Sequence, residues 1–159
     1  MPRPPADREL TLSLLFDLFV ANQQVRQLVA ASMTDAGMTP DEYAIYSALF
    51  EFGALSPTEL GRTVGMPPTT VSHYVRTLRE RGHVEEEPNA ADHRSFRLSL
   101  SRSGLAAQRR AGRAFNQAYD RFLARLEDPA RAKAALDDLL QAAGAAHRDL
   151  LADAREAAG

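Results

Sequence analysis

Residues 56–82 read SPTELGRTVGMPPTTVSHYVRTLRERG, and their punctuation decides the fold. Ser56-Pro57-Thr58-Glu59 puts a hydroxyl at a helix N-cap, proline at the first position and glutamate at the third, which is a capping box. The helix it opens is short, because Gly65 follows Val64 and ends it. Pro67-Pro68 opens a second helix at once, since proline fits the first turn and nowhere further in. That helix runs to about Arg81, and Gly82 closes it. Two helices joined by Val64-Gly65-Met66-Pro67 have helix-turn-helix geometry, with glycine where a left-handed residue is needed.

The second helix divides cleanly around its axis. Val71, Val75 and Leu78 fall together at i, i+4 and i+7 and are expected to face a core. Thr69, Ser72, His73 and Arg76 fall on the opposite face. All four can hydrogen-bond or carry charge, and most are short. Short hydroxyls let a helix approach a major groove closely, and arginine reads guanine or holds a phosphate. Thr69 and Thr70 sit at the N-terminal end, where free backbone N–H groups also favour phosphate. An ordinary solvated helix face has the same composition, so this face alone leaves both readings open.

Beyond Gly82 the pattern changes to period two. Val84 lies between polar neighbours in His83–Glu87, and Phe96, Leu98 and Leu100 alternate with Ser95, Arg97 and Ser99. Two short strands around a polar loop, Pro88–Arg94, are expected. Asp92 beside Arg94 can fix the direction of the arginine. An arginine on a thin hairpin can then reach into a minor groove, although a solvated hairpin tip has the same residues.

Upstream, Thr39-Pro40-Asp41-Glu42 is another capping box, opening a helix through Phe50 with Tyr43, Tyr46, Ala48, Leu49 and Phe50 mostly inward. Before it, residues 7–32 carry Leu10, Leu14, Leu18, Val25 and Leu28 near helical spacing. Leu12, Leu15, Phe16 and Phe19 widen that stripe to most of the circumference. Residues 1–6 are proline-rich and expected to fray. Downstream, Ser101 caps a helix to about Glu127, and Asp128-Pro129 starts a last one. The first and last helices are apolar too broadly for a small monomer to cover, so a two-fold dimer built from them is expected. The fold class is mainly α with a small β-hairpin wing. The expected parts are 1–37 and 101–159 for dimerisation and 38–100 for a winged helix-turn-helix, in one intertwined unit.

Composition narrows the chemistry. The 159 residues are 45% hydrophobic and 25% charged, with net charge −2. From Gly53 to Arg113 ten arginines face six acids, a local +4, and the rest of the chain carries −6. A basic middle between acidic ends suits a nucleic-acid face on a solubilising frame. Cysteine is absent, so disulfides, thiolate zinc sites and thiol switches are excluded. No apolar run approaches membrane-spanning length, and Met1-Pro2-Arg3-Pro4-Pro5 lacks the apolar core of a secretory signal. A cytoplasmic protein without membrane partners is expected. No phosphate loop, nucleophile elbow or zinc-protease motif is present, so no catalytic residue and no cofactor are expected. His73, His83, His93 and His147 are scattered, so no metal site is expected. A metal-responsive regulator built from distant histidines and carboxylates stays open, as does a winged helix that binds protein rather than DNA.

In this order and spacing, the sequence resembles the MarR transcription regulators (multiple-antibiotic-resistance type). Leu55–Gly61 resembles their scaffold helix, Thr69–Leu78 their recognition helix, and Arg81–Val84 with Asp92–Ser95 and Leu98–Gly104 their wing. The resemblance implies a homodimer, a palindromic double-stranded DNA operator and, often, a small-molecule effector that releases a repressor. By position, Thr69, Thr70, Ser72, His73 and Arg76 inherit groove or backbone contacts and Arg94 the wing contact. Ser56, Arg62 and Asp92 complete the candidate DNA-binding set. Glu85-Glu86-Glu87 departs from the family, standing where relatives often carry arginine, and so does His73. The resemblance also implies a cleft between the first two helices and the long helix after the wing. Phe16, Phe19, Gln23, Tyr43, Tyr46 and Phe50 would line it for an aromatic or amphipathic compound, with Arg113 as partner for an anion. The plainer reading is that these residues are simply core.

Overall fold

The computed structural model describes residues 6–89 and 96–157, with side chains from Leu14 onward. The proline-rich start and the loop residues Asp92, His93, Arg94 and Ser95 lie outside the described residues. The described chain runs α1 (Ala6–Met33), α2 (Pro40–Phe52), α3 (Pro57–Val64), α4 (Pro68–Glu80), β1 (Val84–Pro88), β2 (Phe96–Leu100), α5 (Arg102–Leu123) and α6 (Pro129–Glu156). This is a winged helix-turn-helix, mainly α with one antiparallel hairpin.

The starts and stops follow the local chemistry. At α2 the Thr39 hydroxyl accepts from the Glu42 N–H at 3.2 Å, and the Glu42 carboxylate accepts from the Thr39 N–H at 2.8 Å. Ser56 and Glu59 repeat the exchange at α3, at 3.3 and 2.8 Å. Each box satisfies two donors that a helix start would otherwise orphan. Gly65 has φ 69°, the left-handed turn between α3 and α4.

The core forms where these elements meet. Ile45, Tyr46 and Leu49 of α2, Leu60 of α3, Val71, Val75 and Leu78 of α4, Leu98 and Leu100 of β2, and Ala107 and Ala111 of α5 make one buried cluster. In the hairpin, Val84 pairs with Leu100 and Glu86 with Leu98. Leu55 adds a short third rung, exchanging backbone hydrogen bonds with Leu98 at 3.0 and 2.8 Å. Two polar contacts tie the core elements together. Glu42 meets Arg81 at 2.9 Å, and the Tyr46 hydroxyl meets Nδ1 of His83 at 2.5 Å. Burial, aided by the charges of Arg81 and Arg110, holds the His83 imidazole below its usual pKa, so it is neutral at pH 7.

The structure departs from the sequence reading at two places. Helix α5 ends at Leu123, not near Glu127. The chain leaves the helix through the tight bonds Arg125 N–H to the Phe122 carbonyl and Leu126 N–H to the Leu123 carbonyl, and Asp128, before Pro129, is extended (φ −141°, ψ 94°) and caps the next helix. Phe50 is 44% exposed, near the C-terminal end of α2 at the margin of its buried stripe. Helix α6 has no buried residue. By internal contacts the chain divides into a unit up to Ala118 and a unit from Tyr119 on. Among the described residues, no helix is long and apolar enough to cross a membrane.

Two glycines of α5 predict opposite outcomes. A Cβ at Gly104 would fall on the His83 carbonyl, with the carbonyl carbon only 3.0 Å away. At Gly112 its nearest neighbours would be Gln108 Nε2 at 3.7 Å and the Tyr43 hydroxyl at 3.9 Å, ordinary contacts. Gly112→Ala should therefore stabilise by about 0.5–1 kcal/mol through helix propensity. Gly104→Ala should destabilise by about 1–3 kcal/mol, because backbone must move. Urea titration of both variants checks the pair of signs.

Candidate nucleic-acid interface

Helix α4 has the two faces its sequence requires. Val71, Val75 and Leu78 are 1%, 4% and 0% exposed. Thr69, Ser72, His73 and Arg76 are exposed, and Thr70 is half-buried. No side chain caps the start of α4, and its first backbone bond runs from the Val71 N–H to the Pro67 carbonyl. The N–H groups of Thr69 and Thr70 thus precede the helical ladder and can meet an anion.

The exposed side chains are partly organised among themselves. Nδ1 of His73 lies 3.4 Å from a guanidinium nitrogen of Arg76, one turn on. The His73 ring sits edge-on to Tyr74 at 5.3 Å. Arg76 also approaches Glu80 at 3.9 Å, an exposed pair too weak to restrain it much. A guanidinium held only this loosely can turn toward a guanine edge or a phosphate at little cost.

Not every arginine of the basic segment is available. Arg79 pairs with Glu86 of β1 and lies over the Phe96 ring at 4.7 Å, fastening α4 to the wing. Arg97 pairs with Glu59 at 3.3 Å and donates to the Ala54 carbonyl. The hydrogen bonds from Ser56, followed by the nearby Arg97 and Arg62, hold the Glu59 carboxyl below the usual carboxylate range. Arg81 is committed to buried Glu42. Of the Glu85-Glu86-Glu87 run, Glu86 is neutralised by Arg79, while Glu85 and Glu87 are exposed.

Among the other candidates, Arg62 is exposed on α3. Ser56 is only 8% exposed, and its hydroxyl serves the cap of α3, bonding both the N–H and the carboxylate of Glu59. Asp92 and Arg94 lie outside the described residues.

The expected effector lining does not assemble as one wall. A cavity of about 770 Å³ gathers Tyr43, Phe50 and Arg113 with Ser47, Gln108 and Asn116. A second, about 720 Å³, lies between α1, α2 and α5 and is lined by Asn22, Val25, Arg26 and Val29 with Asp41, Tyr43 and Phe115. Phe16 and Phe19 are 64% and 59% exposed and line neither. At 1.5 Å per residue, Phe16 sits about 15 Å along α1 from Arg26. Gln23 falls off the 22-25-26-29 stripe that faces this cavity. Tyr46 is fully buried, directed to His83. The Ser47 Oγ is buried without a hydrogen-bond partner where the two cavities share a wall.

Sequence reasoning missed Tyr74, Asp41 and Arg26, which form a chain of hydrogen bonds from α4 to α1. Its sole signal was a tyrosine on the flank of α4 between the buried and exposed stripes.

The family model described as MarR family matches residues 36–95, a span that contains α2, α3, α4 and β1. The fold is also that of solved regulators. A Mycobacterium tuberculosis transcriptional regulator, MosR, solved in complex with DNA, superposes with TM-score 0.73 at 23% identity, covering 83% of this chain and 96% of its own. A probable transcriptional regulator from Pseudomonas aeruginosa gives 0.65 at 29%, covering 80% and 94%. PcaV from Streptomyces coelicolor, in complex with its natural ligand, gives 0.67 at 28%, covering 81% and 91%. No curated protein sequence matches the chain significantly.

Two classes of substitution on this surface should behave differently. Ser72→Ala and His73→Ala are expected to change base preference, each by about 1–3 kcal/mol at one position of a bound duplex. Arg62→Ala and Arg94→Ala should weaken binding on most sequences and flatten its dependence on salt. Anisotropy titrations over a salt series, on single-base variants of one duplex, separate the classes.

Proposed function

We propose, for a chain whose winged helix belongs to the MarR family, that it is a sequence-specific DNA-binding transcription regulator acting as a homodimer. The observation that carries the reading is the division of α4: a fully buried apolar stripe behind an exposed row of Thr69, Ser72, His73 and Arg76. Thr70 and the free N–H groups of the first turn would take a phosphate, Arg62 a flanking phosphate, and Arg94, steered by Asp92, the minor groove beside the wing. Ser56 contributes through its cap rather than by contact, since its hydroxyl is engaged.

Dimerisation is supported by what the single chain leaves uncovered. Leu15, Phe16 and Phe19 of α1 are 59–64% exposed, and Leu140 and Leu150 of α6 are 62% and 67% exposed. Apolar side chains in such continuous rows call for a partner surface. We assign 1–37 and 101–159 to this role and 38–100 to DNA. A two-fold dimer presents two copies of α4, so its operator is palindromic with half-sites about 34–36 Å apart. The protein acts as a repressor of nearby genes, released by a small aromatic or amphipathic effector. The effector binds beside Tyr43, with Phe50 as an apolar wall, Ser47 as an unused hydroxyl and Arg113 for an anionic group. The neighbour PcaV was solved with its natural ligand, which lends support to a ligand here.

The decisive experiment is a gel shift with the DNA flanking the protein's own gene. A shifted band, footprinted to an inverted repeat, is expected. No binding at low salt to any flanking sequence would leave a protein-binding module as the better account. Sedimentation of the full chain should give a dimer, and a chain truncated after Glu127 should give monomer or aggregate. A stable dimer of the truncated chain would place the interface elsewhere.

The effector carries its own prediction. Thermal-shift screening with aromatic acids and phenols should find a stabilising compound that weakens operator binding tenfold or more, which needs about 1.4 kcal/mol of preference for the non-binding state. Tyr43→Ala should abolish the response. A compound that stabilises the protein without changing DNA affinity would sink release as the mechanism.

A further inference from the structure

Arg26 in α1, Asp41 in the first turn of α2 and Tyr74 midway along α4 form one continuous polar chain. The guanidinium donates twice to the carboxylate, Nη1 to Oδ1 at 2.6 Å and Nη2 to Oδ2 at 3.2 Å. The Tyr74 hydroxyl donates to the same Oδ2 at 3.1 Å. Fifteen residues separate Arg26 from Asp41, and thirty-three separate Asp41 from Tyr74, so the contact is tertiary at both links. Such pairing resists the entropy of two long side chains better than a single-point ion pair does.

The two attachments of α4 to α2 differ in kind. Glu42 and Asp41 are neighbours in the first turn of α2, and each holds one point of α4. Glu42 holds Arg81, past the C-terminal end of α4, with its own side chain 7% exposed. Asp41 holds Tyr74, mid-helix, with its side chain 24% exposed, and it alone of the two is also bonded to α1. Tyr74 in turn supports His73, whose ring lies edge-on against it. A shift of α1 at Arg26 therefore reaches the exposed face of α4 through two hydrogen-bonded steps and one ring contact.

We propose that Asp41 is a positioning residue for DNA reading, a latch through which α1 sets the seating of α4 and the presentation of His73. The DNA consequence rests on the function proposed above; the mechanical link does not. The Arg26 guanidinium holds the Asp41 carboxyl below the usual carboxylate range, so the latch is closed at neutral pH. None of the three residues needs to touch DNA for this role.

The test uses the full chain with Arg26→Met, Arg26→Lys, Asp41→Asn, Tyr74→Phe and the Asp41→Asn/Tyr74→Phe pair. The first arm is amide hydrogen exchange without DNA, which reports local opening. Arg26→Met, a change at a side chain 45% exposed, should speed exchange along 68–80 about threefold or more while 84–88 and 96–100 stay unchanged. Arg26→Lys should restore most of the protection. The second arm is operator binding across a salt series. Asp41→Asn and Tyr74→Phe should each weaken it about threefold to tenfold, the net worth of an ordinary intramolecular hydrogen bond, with the salt slope unchanged. The double variant should be no weaker than Asp41→Asn alone, because the two links act in series and breaking either one uncouples α1 from α4. Unchanged exchange in α4, or exchange that rises equally through the whole core, overturns the latch. Faster exchange in α4 with intact operator affinity overturns its role in reading. If the protein binds no DNA at all, the exchange arm still decides the link, and only the function proposed above has failed.

Discussion

The burial of Val71, Val75 and Leu78 against Leu60, Ile45 and Leu49 is the constraint on which the rest depends. A helix has one rotation about its axis, and three apolar side chains at i, i+4 and i+7 consume it. Once they are inside, Ser72, His73 and Arg76 have no other place than outside. The left-handed turn at Gly65 fixes the angle at which α4 leaves α3, and the Leu55–Leu98 rung holds the wing beside them. The exposed face is thus specified by the core and needs no interactions of its own to be presented.

Charge is sorted by the same geometry. The arginines at 79, 81 and 97 each have a carboxylate partner within the fold, Glu86, Glu42 and Glu59. They fasten α4 to the wing, the end of α4 to α2, and the wing to the start of α3. A local excess of positive charge counted along the sequence therefore overstates what an incoming polyanion would meet. The acidic run of β1, which reads as a penalty for DNA attraction, is in part the counter-charge of this clamp. Removing Glu86 would free Arg79, yet would also loosen the element that carries the wing.

Most of the fold was legible because its signals are local. Capping boxes at Thr39 and Ser56, proline at first-turn positions and glycine after the last turn each act within a few residues, and the elements begin and end accordingly. Faces were legible where periodicity was strict, as in α4. The reading failed where the outcome is tertiary. Phe50 is apolar on a mostly buried helix and follows Tyr46 by one turn, yet it is 44% exposed, because near the end of α2 the core no longer reaches across to cover it. Phe16 and Phe19 looked like partners of Tyr43, but position along α1 separates them from it. No sequence pattern announces that Arg26, Asp41 and Tyr74 meet, since the pairing depends on how three helices cross.

The division of labour between buried and exposed apolar surface also constrains how the molecule can respond. The cluster around Leu60 and Leu98 is closed, and closed cores shift between discrete packings rather than bending. Helix α1 is different: beyond Met33 and its turn, Leu14, Leu15, Phe16, Phe19, Val20 and Val25 are exposed. Its attachment to the core is confined to Val29, Met33 and the pair Arg26–Asp41 with its cavity wall. A helix held to its own domain by Met33, Val29 and one polar joint, with much of its apolar surface uncovered, can move when that joint changes. The joint opens onto the cavity lined by Asn22, Arg26 and Asp41, so solvent and solutes reach it directly. Stability and sensitivity are thereby kept apart: the residues that hold the fold are dry, and the residues that link α1 to the exposed face of α4 are wet.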